Sequence, residues 1–369
     1  MNTKKQPYIW CPYLPHVEID LSKIYYNAKY LKKYLKEKGI SIIGITKVVL
    51  GDPKIAKVIL DAGIPYIGDS RMRNIKRLYN ANLDAKLVLI RNPSLSEIDK
   101  VVKYADISLN SEWEILKNLS KKALKLNKKH GVIIMVEMGD LREGIMPENL
   151  DLVIKKTLKL EGIVLLGLGT NLKCFAGVIP DQKKMSSFSE IAEKLQQKFN
   201  IRFKFISGGN SANYKWVKNT DNLGLINNLR LGTAIIMGAE SIEDSPIPDL
   251  KQDTFSLIAE IVQISKKPKN PTGKFSTNAF GEPSIFKNKK YRGKGVRSQA
   301  LLNIGRQDIE EKGLVPVDNI DIMGASSDYL ICDIKNNEYK IGEQLRFKMS
   351  YEALLRAMTS PFVEKRYVK

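Results

Sequence analysis

Hydrophobic residues recur along the first two-thirds of the chain in short runs that alternate with amphipathic segments. The runs cover residues 41–48, 66–69, 86–91, 106–110, 131–138, 163–170, 203–207 and 229–237. Helical patterns lie between most of them, near residues 53–63, 71–80, 95–103, 112–127, 147–159 and 182–199. Short apolar runs are typical of strands buried on both faces. Eight such strands alternating with helices over about two hundred residues predict a TIM-type (β/α)8 barrel.

A doubly wound open sheet is the alternative architecture, because alternation of strands and helices does not by itself show closure. The Gly-x-Gly-x-x-Gly pattern expected after the first strand of a dinucleotide-binding fold is missing from this sequence. A further short strand is predicted at residues 17–21, followed by a helix capped by Asp20 or Ser22 that runs to about Lys38. The barrel is therefore the favoured prediction.

The pattern changes after Gly238. Residues 244–249 have the composition of a linker, and residues 266–295 are rich in Pro, Gly and Lys, as in long surface loops. Strand-like runs without long helices follow the linker at 254–264, 298–304, 319–323, 329–334 and 345–349. We therefore predict a barrel domain of residues 17–239 and a mostly β domain of residues 240–369, to which residues 1–16 could add a strand.

The formal net charge of +20, from 60 Lys and Arg against 40 Asp and Glu, first suggests a nucleic-acid partner. The lysines, however, are spread over many helix-like segments, and the sequence shows no helix-turn-helix, zinc-finger or RNA-binding signature. Solvated helix faces explain the excess charge more simply. We predict no nucleic-acid partner.

Cysteine and histidine usage narrows the chemistry further. The three cysteines, Cys11, Cys174 and Cys332, are far apart, and neither of the two histidines, His16 and His130, has a metal-ligand spacing. Neither disulfides nor a metal site is expected. The chain also lacks a signal-peptide layout or an apolar run of membrane-spanning length, so we predict a soluble cytoplasmic protein without membrane contact.

Polar residues stand at the carboxyl ends of the predicted strands, where TIM barrels place their chemistry. Lys47 ends the first strand, and a lysine held partly dry has its charged form disfavoured, which suits Schiff-base chemistry. The ordinary alternative is a strand-end lysine that extends to water. The other polar residues are Asp69, Ser70 and Arg71; Arg91 and Asn92; Asn110 and Ser111; Glu137 and Arg142; and Asn171 and Lys173.

Strands seven and eight, after which TIM barrels commonly bind phosphate, end in small and hydroxyl-bearing residues. Ser207-Gly208-Gly209-Asn210-Ser211 follows strand seven, and Arg230-Leu231-Gly232-Thr233 lies on strand eight. Small residues let backbone N–H groups approach a phosphate, and Ser207 or Ser211 can donate a hydroxyl. Each motif alone is also typical of a turn. Together with a strand-one lysine, they point to pyridoxal 5'-phosphate.

Four segments in this order resemble the alanine racemase superfamily, the fold-type III pyridoxal phosphate enzymes: Lys47 at the end of strand one, Met-Gly-Asp-Leu-Arg-Glu-Gly at 138–144, Ser-Gly-Gly-Asn-Ser at 207–211 and Leu-Arg-Leu-Gly-Thr at 229–233. Gly-Asp-Ser-Arg at 68–71, Val-Val-Lys-Tyr-Ala-Asp-Ile-Ser at 101–108 and Gly-Ala-Ser-Ser-Asp at 324–328 are similar to the ornithine racemase branch. The resemblance covers nearly the whole chain.

This resemblance implies a role for each matching residue. Lys47 would be the Schiff-base lysine and one of the racemisation bases, Arg230 would face the pyridine nitrogen, and Arg142 would lie near the phenolic oxygen of the cofactor. The residues of the phosphate cup would be Asn210, Ser211, Gly232 and Thr233, with Ser207, Gly208 and Gly209 beside them.

Two departures from the family pattern concern the second base. Asn171 replaces the strand-six histidine, and Gly305-Arg306-Gln307-Asp308 replaces the Gly-Tyr-Ala-Asp motif whose tyrosine is the opposite base in alanine racemases. The candidates that remain for this base are Asp308, Cys174, Lys173, Tyr329 and Tyr351.

The resemblance implies a pyridoxal phosphate-dependent amino-acid racemase that acts as a homodimer with shared active sites. Ornithine is the expected substrate, with lysine, arginine or alanine as alternatives. A cationic substrate side chain needs an acidic or carbonyl-rich pocket, which could draw on Asp69, Glu137, Asp140, Asp308 and Asp328. The remaining alternatives are a non-catalytic pyridoxal phosphate homeostasis protein, which the long C-terminal domain disfavours, and a fold-type III decarboxylase or aldolase.

Overall fold

The computed structural model describes residues 14–287 and 291–368. The chain divides into two compact units, of which one comprises Leu21–Thr254 and the other combines the segment that ends at Asp20 with the segment that begins at Phe255. Both boundaries differ from the predicted ones at residues 17 and 240. Strand β1, His16–Asp20, was predicted as part of the barrel domain, but it pairs with strands of the second unit. Residues 1–13, which hold Cys11 and most of the strand predicted for residues 1–16, lie outside the described residues.

Unit Leu21–Thr254 contains a closed barrel of eight parallel strands, as predicted, so the open-sheet alternative is excluded. Each strand pairs with the next, and the last pairs with the first through Ile43 opposite Arg230. The strands are β2 Ser41–Ile45, β3 Tyr66–Asp69, β4 Lys86–Leu89, β5 Ile107–Asn110, β6 His130–Met135, β7 Ile163–Gly169, β8 Phe205–Ser207 and β9 Asn228–Leu231.

Helices connect the strands of this barrel. Asp52 caps the second of them, since its side chain accepts hydrogen bonds from the backbone N–H groups of Lys54 and Ile55. The helices are α1 Leu21–Glu37, α2 Pro53–Asp61, α3 Met72–Asn80, α4 Ile98–Tyr104, α5 Trp113–Lys125, α6 Leu150–Thr157, α7 Gln182–Phe199, α8 Asn213–Asn219 and α9 Thr233–Met237.

The barrel interior is filled by alternate apolar side chains of its strands. Burying them removes apolar surface from water and closes the sheet around a packed core. The cluster consists of Ile43, Ile45, Val88, Ile107, Leu109, Ile133, Met135 and Phe205. At Gly167 the neighbouring strand comes so close that a Cβ would lie 1.9 Å from the carbonyl oxygen of Phe205, so only glycine fits there.

Two predicted barrel strands are shorter than the sequence suggested. Strand one stops at Ile45, and Lys47–Val49 form a single 3₁₀ turn. Strand eight, predicted to run to Met237, stops at Leu231, and the apolar residues beyond it form helix α9, which ends at Gly238 with φ 65°. A short buried apolar run has no periodicity that separates strand from helix, which explains both errors.

The second unit is built on a mostly antiparallel sheet, in which β1 pairs antiparallel with β10 (Phe255–Pro268) and parallel with β16 (Glu364–Val368). Its nine-residue helix α10, Tyr351–Thr359, was not predicted; the Ser350 hydroxyl caps it by accepting a hydrogen bond from the Ala353 N–H. The elements after the barrel are β10 Phe255–Pro268, β11 Val296–Leu302, β12 Leu314–Pro316, β13 Asp321–Ala325, β14 Leu330–Asp333, β15 Gln344–Met349, α10 and β16 Glu364–Val368.

The described residues contain neither a membrane-spanning helix nor a cluster of metal-ligating side chains. Within residues 14–287 and 291–368, no helix is both long and apolar enough to span a bilayer. In the same ranges, no group of three or more His, Cys, Asp or Glu side chains could hold a metal ion.

His130 at the start of β6 should make the protein less stable in mild acid. Its buried ring lies 2.8 Å from the Ser108 hydroxyl, and burial lowers its pKa from 6.5 to about 4. Between these values the unfolded chain takes up a proton that the folded barrel refuses, so His130 should lower the free energy of unfolding by up to roughly 3 kcal/mol as the pH falls.

Urea unfolding of wild type and His130→Gln at several pH values between 6.5 and 4 measures this contribution. Because burial also lowers the pKa of His16, the relevant quantity is the difference between the two proteins. The stability of His130→Gln should fall less steeply with acid. If the free energy of unfolding fell equally steeply with pH in both proteins, protonation of His130 would not destabilise the folded barrel.

Candidate active site

The loops that follow strands β8 and β9 are joined into one surface at the carboxyl end of the barrel. The Arg230 N–H donates to the Gly209 carbonyl oxygen (2.9 Å), and the Gly208 N–H donates to that of Asn228 (3.0 Å). The hydroxyl oxygen of Ser211 accepts a hydrogen bond from the Ala234 N–H at the start of α9 (3.1 Å). The two small-residue motifs found in the sequence are therefore brought together.

Arg230 is the buried charge at the centre of this surface. Its guanidinium donates to the Ser207 hydroxyl (2.7 Å) and to the Thr170 carbonyl oxygen (2.6 Å). Burial lowers the pKa of Arg230 to about 10, but the group stays protonated at neutral pH. The Ser207 hydroxyl in turn donates to Asn228 (2.7 Å). Ser207 therefore orients Arg230. From the sequence we expected the Ser207 hydroxyl to be able to donate to a phosphate, but in this structure it donates to Asn228.

Asn171 connects Arg230 to the glycine loop. Its Oδ1 atom accepts hydrogen bonds from the Arg230 guanidinium (3.4 Å) and from the Asn210 amide (3.1 Å). The Asn210 amide also lies 3.5 Å from the sulfur of Cys174, an exposed free thiol. Asn171 therefore gives Arg230 an uncharged hydrogen-bond acceptor at the place where the family pattern has a histidine.

Gly209 is needed for the shape of the loop after β8. Its φ of +146° is disfavoured for residues with a side chain, and a Cβ on it would lie 2.1 Å from Oδ1 of Asn213. The same Oδ1 atom accepts a hydrogen bond from the Asn210 N–H (3.1 Å). The loop therefore turns back on itself, and a side chain at position 209 does not fit.

Lys47 lies beside this surface, one strand away. Strand β2, which ends two residues before Lys47, pairs with β9, and Gly232 lies against Ile45, whose Cβ is 3.4 Å from the position of a Cβ on that glycine. The Lys47 side chain is exposed, so the expectation of a partly dry lysine is wrong for this structure. Thr233 follows Gly232 as the first residue of α9 and is half-buried.

Arg142 is on a second loop, residues 138–144, which is tied to the loop that holds Cys174. The Arg142 guanidinium binds the adjacent carboxylate of Glu143 (2.6 Å). Asp140, almost fully buried, accepts hydrogen bonds from the N–H groups of Phe175 (3.1 Å) and Ala176 (3.2 Å). Arg142 and Cys174 are therefore carried by two loops that are fixed to each other.

The five acidic residues considered for a cationic substrate all have partners within the chain. In the barrel unit, Asp69 binds Thr46, Asn74 and the Arg71 N–H, Glu137 accepts from the Gly139 and Leu141 N–H groups, and Asp140 is engaged as described above. In the second unit, Asp308 accepts from the Ser360 hydroxyl, and Asp328 from that of Ser327. Asp69 and Asp140 are buried, so they do not provide an open acidic pocket.

Arg306, which stands in place of the family's tyrosine, is held by two carboxylates in the second unit. It donates to both oxygens of Glu282 (2.6 and 2.9 Å) and to Glu311 (3.0 Å), and it stacks on the Phe280 ring. These hydrogen bonds raise the pKa of Arg306 further. Arg306 is consequently not a base. Among the other candidates, Tyr329 and Cys174 are exposed, whereas Lys173 and Tyr351 are half-buried.

Unsatisfied polar atoms mark the carboxyl end of the barrel as a binding surface. Among the described residues, buried atoms without a hydrogen-bond partner include Nδ2 of Asn171, Oγ1 of Thr170, Oδ1 of Asn110 and Nε of Arg91. All four residues lie at or just after the ends of barrel strands. Buried polar groups are normally paired, so these atoms are suited to a polar ligand.

Comparison with known proteins identifies the family. Residues 19–240 match the family model described as "Alanine racemase, N-terminal domain". The chain is 40% identical over 355 residues to ornithine racemase of Acetoanaerobium sticklandii, across 95% of this chain and 99% of that protein. It is 35% identical over 355 residues to lysine racemase of Thermotoga maritima, across 96% of this chain and 98% of that protein.

Solved structures agree on the fold. The alanine racemase of Bartonella henselae, determined with covalently bound pyridoxal phosphate, aligns with a TM-score of 0.72 and 16% identity, over 96% of this chain and 99% of that one. At this identity the likeness concerns the fold alone. The family model, however, spans more than half of the chain and both curated relatives span nearly all of it, so this chain belongs to the alanine racemase family.

Proposed function

We propose that this chain is a pyridoxal phosphate-dependent racemase that interconverts L- and D-ornithine. The observation that carries the proposal is the buried Arg230, held by Ser207 and Thr170 beside the glycine loop and one strand away from Lys47. The similarity over almost the whole length to an ornithine racemase supports both the reaction and the substrate.

The residues present fit the cofactor. Its phosphate would be held by a tight loop of small residues, and Gly209 allows the loop after β8 to take its observed shape, since a Cβ there would collide with Asn213. Its ring nitrogen can meet the guanidinium of Arg230, whose position is fixed by the barrel. The unpaired Nδ2 of Asn171 offers a further donor at the same place. Asn210, Ser211, Gly232 and Thr233 would then complete the phosphate cup.

When bound, the cofactor withdraws electrons from the substrate and so acidifies its Cα–H bond. Lys47 would attach the cofactor and then, through its Nζ atom, remove and return the proton at Cα on one face. Arg230 cannot give its proton to the ring nitrogen, because it stays protonated even with its pKa lowered to about 10. It should therefore keep the electron withdrawal moderate, which favours return of the proton to Cα. Arg142 would lie near the phenolic oxygen.

Racemisation needs a second proton carrier on the opposite face, and its identity stays open. Arg306 is excluded by its two carboxylate partners. Asp308 accepts a hydrogen bond from the Ser360 hydroxyl (2.6 Å), so it would first have to exchange that partner. Cys174, Lys173, Tyr329 and Tyr351 remain as candidates.

Lysine is the second candidate substrate, because the next relative at 35% identity is a lysine racemase. A homodimer and a cytoplasmic location remain predictions, as does the expectation that the positive charge serves solubility rather than nucleic-acid binding. A pyridoxal phosphate homeostasis role and a decarboxylase or aldolase activity are alternatives that the assay below distinguishes.

The purified protein loaded with pyridoxal phosphate should form D-ornithine from L-ornithine and, in deuterated water, place deuterium at Cα. Lys47→Ala should abolish both, since it removes the cofactor attachment and one proton carrier. Chiral chromatography with mass spectrometry measures both outcomes, and L-lysine, L-arginine and L-alanine serve as competing substrates. Carbon dioxide or an aldehyde as the product would contradict the racemase proposal, and a lack of any turnover would favour the homeostasis role.

Gly209→Ala should weaken cofactor binding by roughly tenfold or more, since the added Cβ collides with Asn213 and displaces the loop. Gly39→Ala is the matched control: φ at Gly39 is +74°, but nothing lies within 4 Å of an added Cβ. Both variants place a side chain at a positive φ, and only Gly209→Ala also has the collision. Equal cofactor dissociation constants in a titration of the two cofactor-free variants would refute this role of Gly209.

Arg230→Glu should slow racemisation by roughly 100-fold and create a transamination side reaction. A carboxylic acid can share a proton with the ring nitrogen, and the stronger electron withdrawal favours proton return to another carbon. Arg230→Lys keeps a positive charge and should slow racemisation without that side reaction. Keto-acid formation, measured beside D-ornithine, separates the two variants. Faster racemisation by Arg230→Glu, without a side product, would contradict the proposed role.

A further inference from the structure

The turn that carries Lys47 is closed by its own backbone hydrogen bonds, among them one from the Gly51 N–H to the Thr46 carbonyl oxygen (3.2 Å), and it includes a left-handed leucine. After Thr46 the chain forms one 3₁₀ turn, and Leu50 and Gly51 follow with φ of 53° and 61°. A left-handed residue with a side chain costs about 1–2 kcal/mol, so such a conformation persists only where its surroundings hold it. Those surroundings are the end of β3 and the start of α3.

Asp69, the last residue of β3, contacts the first residue of this turn. Its side chain is fully buried, and Oδ2 lies 3.0 Å from the hydroxyl of Thr46, the residue before Lys47. Its Oδ1 atom accepts hydrogen bonds from the Arg71 N–H (3.0 Å) and from the Asn74 amide (3.0 Å). Burial raises the pKa of Asp69. These partners are neutral, so hydrogen bonds alone hold the buried carboxylate in place.

Asn74 and Arg77 hold the other end of the same turn. A Cβ on Gly51 would lie 2.8 Å from Cβ of Asn74, so the two residues are in direct backbone contact. The Arg77 guanidinium donates to the carboxylate of Asp52 (3.2 Å) and lies 3.4 Å from the Leu50 carbonyl oxygen. Asp69 thus acts on the turn twice, directly through Thr46 and indirectly through the amide of Asn74.

We propose that Asp69 is a positioning residue for Lys47, fixing through Thr46 and Asn74 the direction in which the lysine leaves the barrel. Asp69 touches neither substrate nor cofactor in this role. The geometry of the turn stands on its own, whereas its value for catalysis rests on the proposed racemase function. A displacement of about 1 Å at a reacting group can cost 100-fold in rate, so a rigid support for the lysine has a direct kinetic effect.

Thr46→Val tests this proposal, since it removes the hydroxyl that meets Asp69 and keeps the shape of the side chain. Thr46→Ser retains the hydroxyl and should restore wild-type behaviour. Thr157→Val is the matched control, because Thr157 is equally buried and its hydroxyl donates within α6 to the Val153 carbonyl oxygen (2.8 Å). Asp69→Ala, which removes both acceptor oxygens, is the fourth variant.

The first measurement uses the cofactor-free proteins and needs no racemase activity. Brief acetylation followed by peptide mass spectrometry gives the rate of modification of Lys47 relative to the other lysines. Thr46→Val and Asp69→Ala should change this ratio by about threefold or more, because the amine then samples other directions. Thr46→Ser and Thr157→Val should not change it. A wild-type ratio in a folded Thr46→Val protein would overturn the proposal.

The second measurement uses the loaded proteins. Thr46→Val should lower kcat by roughly 10- to 100-fold with little change in KM, and should alter the absorption spectrum of the bound cofactor. Loss of stability without these effects would assign Asp69 a purely structural role. If the wild type itself fails to racemise ornithine, the proposed function fails, while the acetylation ratios still decide whether Asp69 positions Lys47.

Discussion

The burial of one positive charge organises the carboxyl end of this barrel. A guanidinium is expensive to remove from water unless its N–H groups find acceptors, and Arg230 receives them from Ser207, Thr170 and Asn171. Thr170 and Asn171 directly follow β7 and Ser207 ends β8, whereas Arg230 lies on β9. These hydrogen bonds therefore require the three neighbouring strands to pair in their observed register. The constraint that stabilises the charge therefore also aligns the loops of the proposed cofactor site.

The sequence predicted the parts of the structure that depend on local patterns. Eight apolar runs with helices between them led to the closed barrel, and small residues after two strands led to the joined loops around Gly209 and Gly232. The predicted length of strand eight was wrong, because a short apolar run such as Ala234 to Met237 fits a buried strand as well as a buried helix. Membership of β1 in the second unit depends on long-range pairing with Phe255–Ile258, which has no local signal.

The network within the site could not be predicted for the same reason. The sequence suggested that the Ser207 hydroxyl could contact the phosphate. In the structure this hydroxyl accepts a hydrogen bond from Arg230 and donates one to Asn228. Asn171 was noted as a polar residue after strand six and as a departure from the family, but the sequence did not show that its side chain joins Arg230 to Asn210. Hydrogen bonds between strands depend on register and side-chain direction, which a linear pattern does not contain. Polar residues at consecutive strand ends were the one signal that such a network existed.

Asp140 has a consequence for how the loops of this surface are held. By accepting the N–H groups of Phe175 and Ala176, its carboxylate makes residues 138–144 and 171–176 one mechanical body. The Lys184 amine, 2.9 Å from the Met138 carbonyl oxygen, anchors that body to helix α7. The spacing of the two loops is therefore fixed by one buried carboxylate and one amine, neither of which belongs to the residues expected to touch the cofactor.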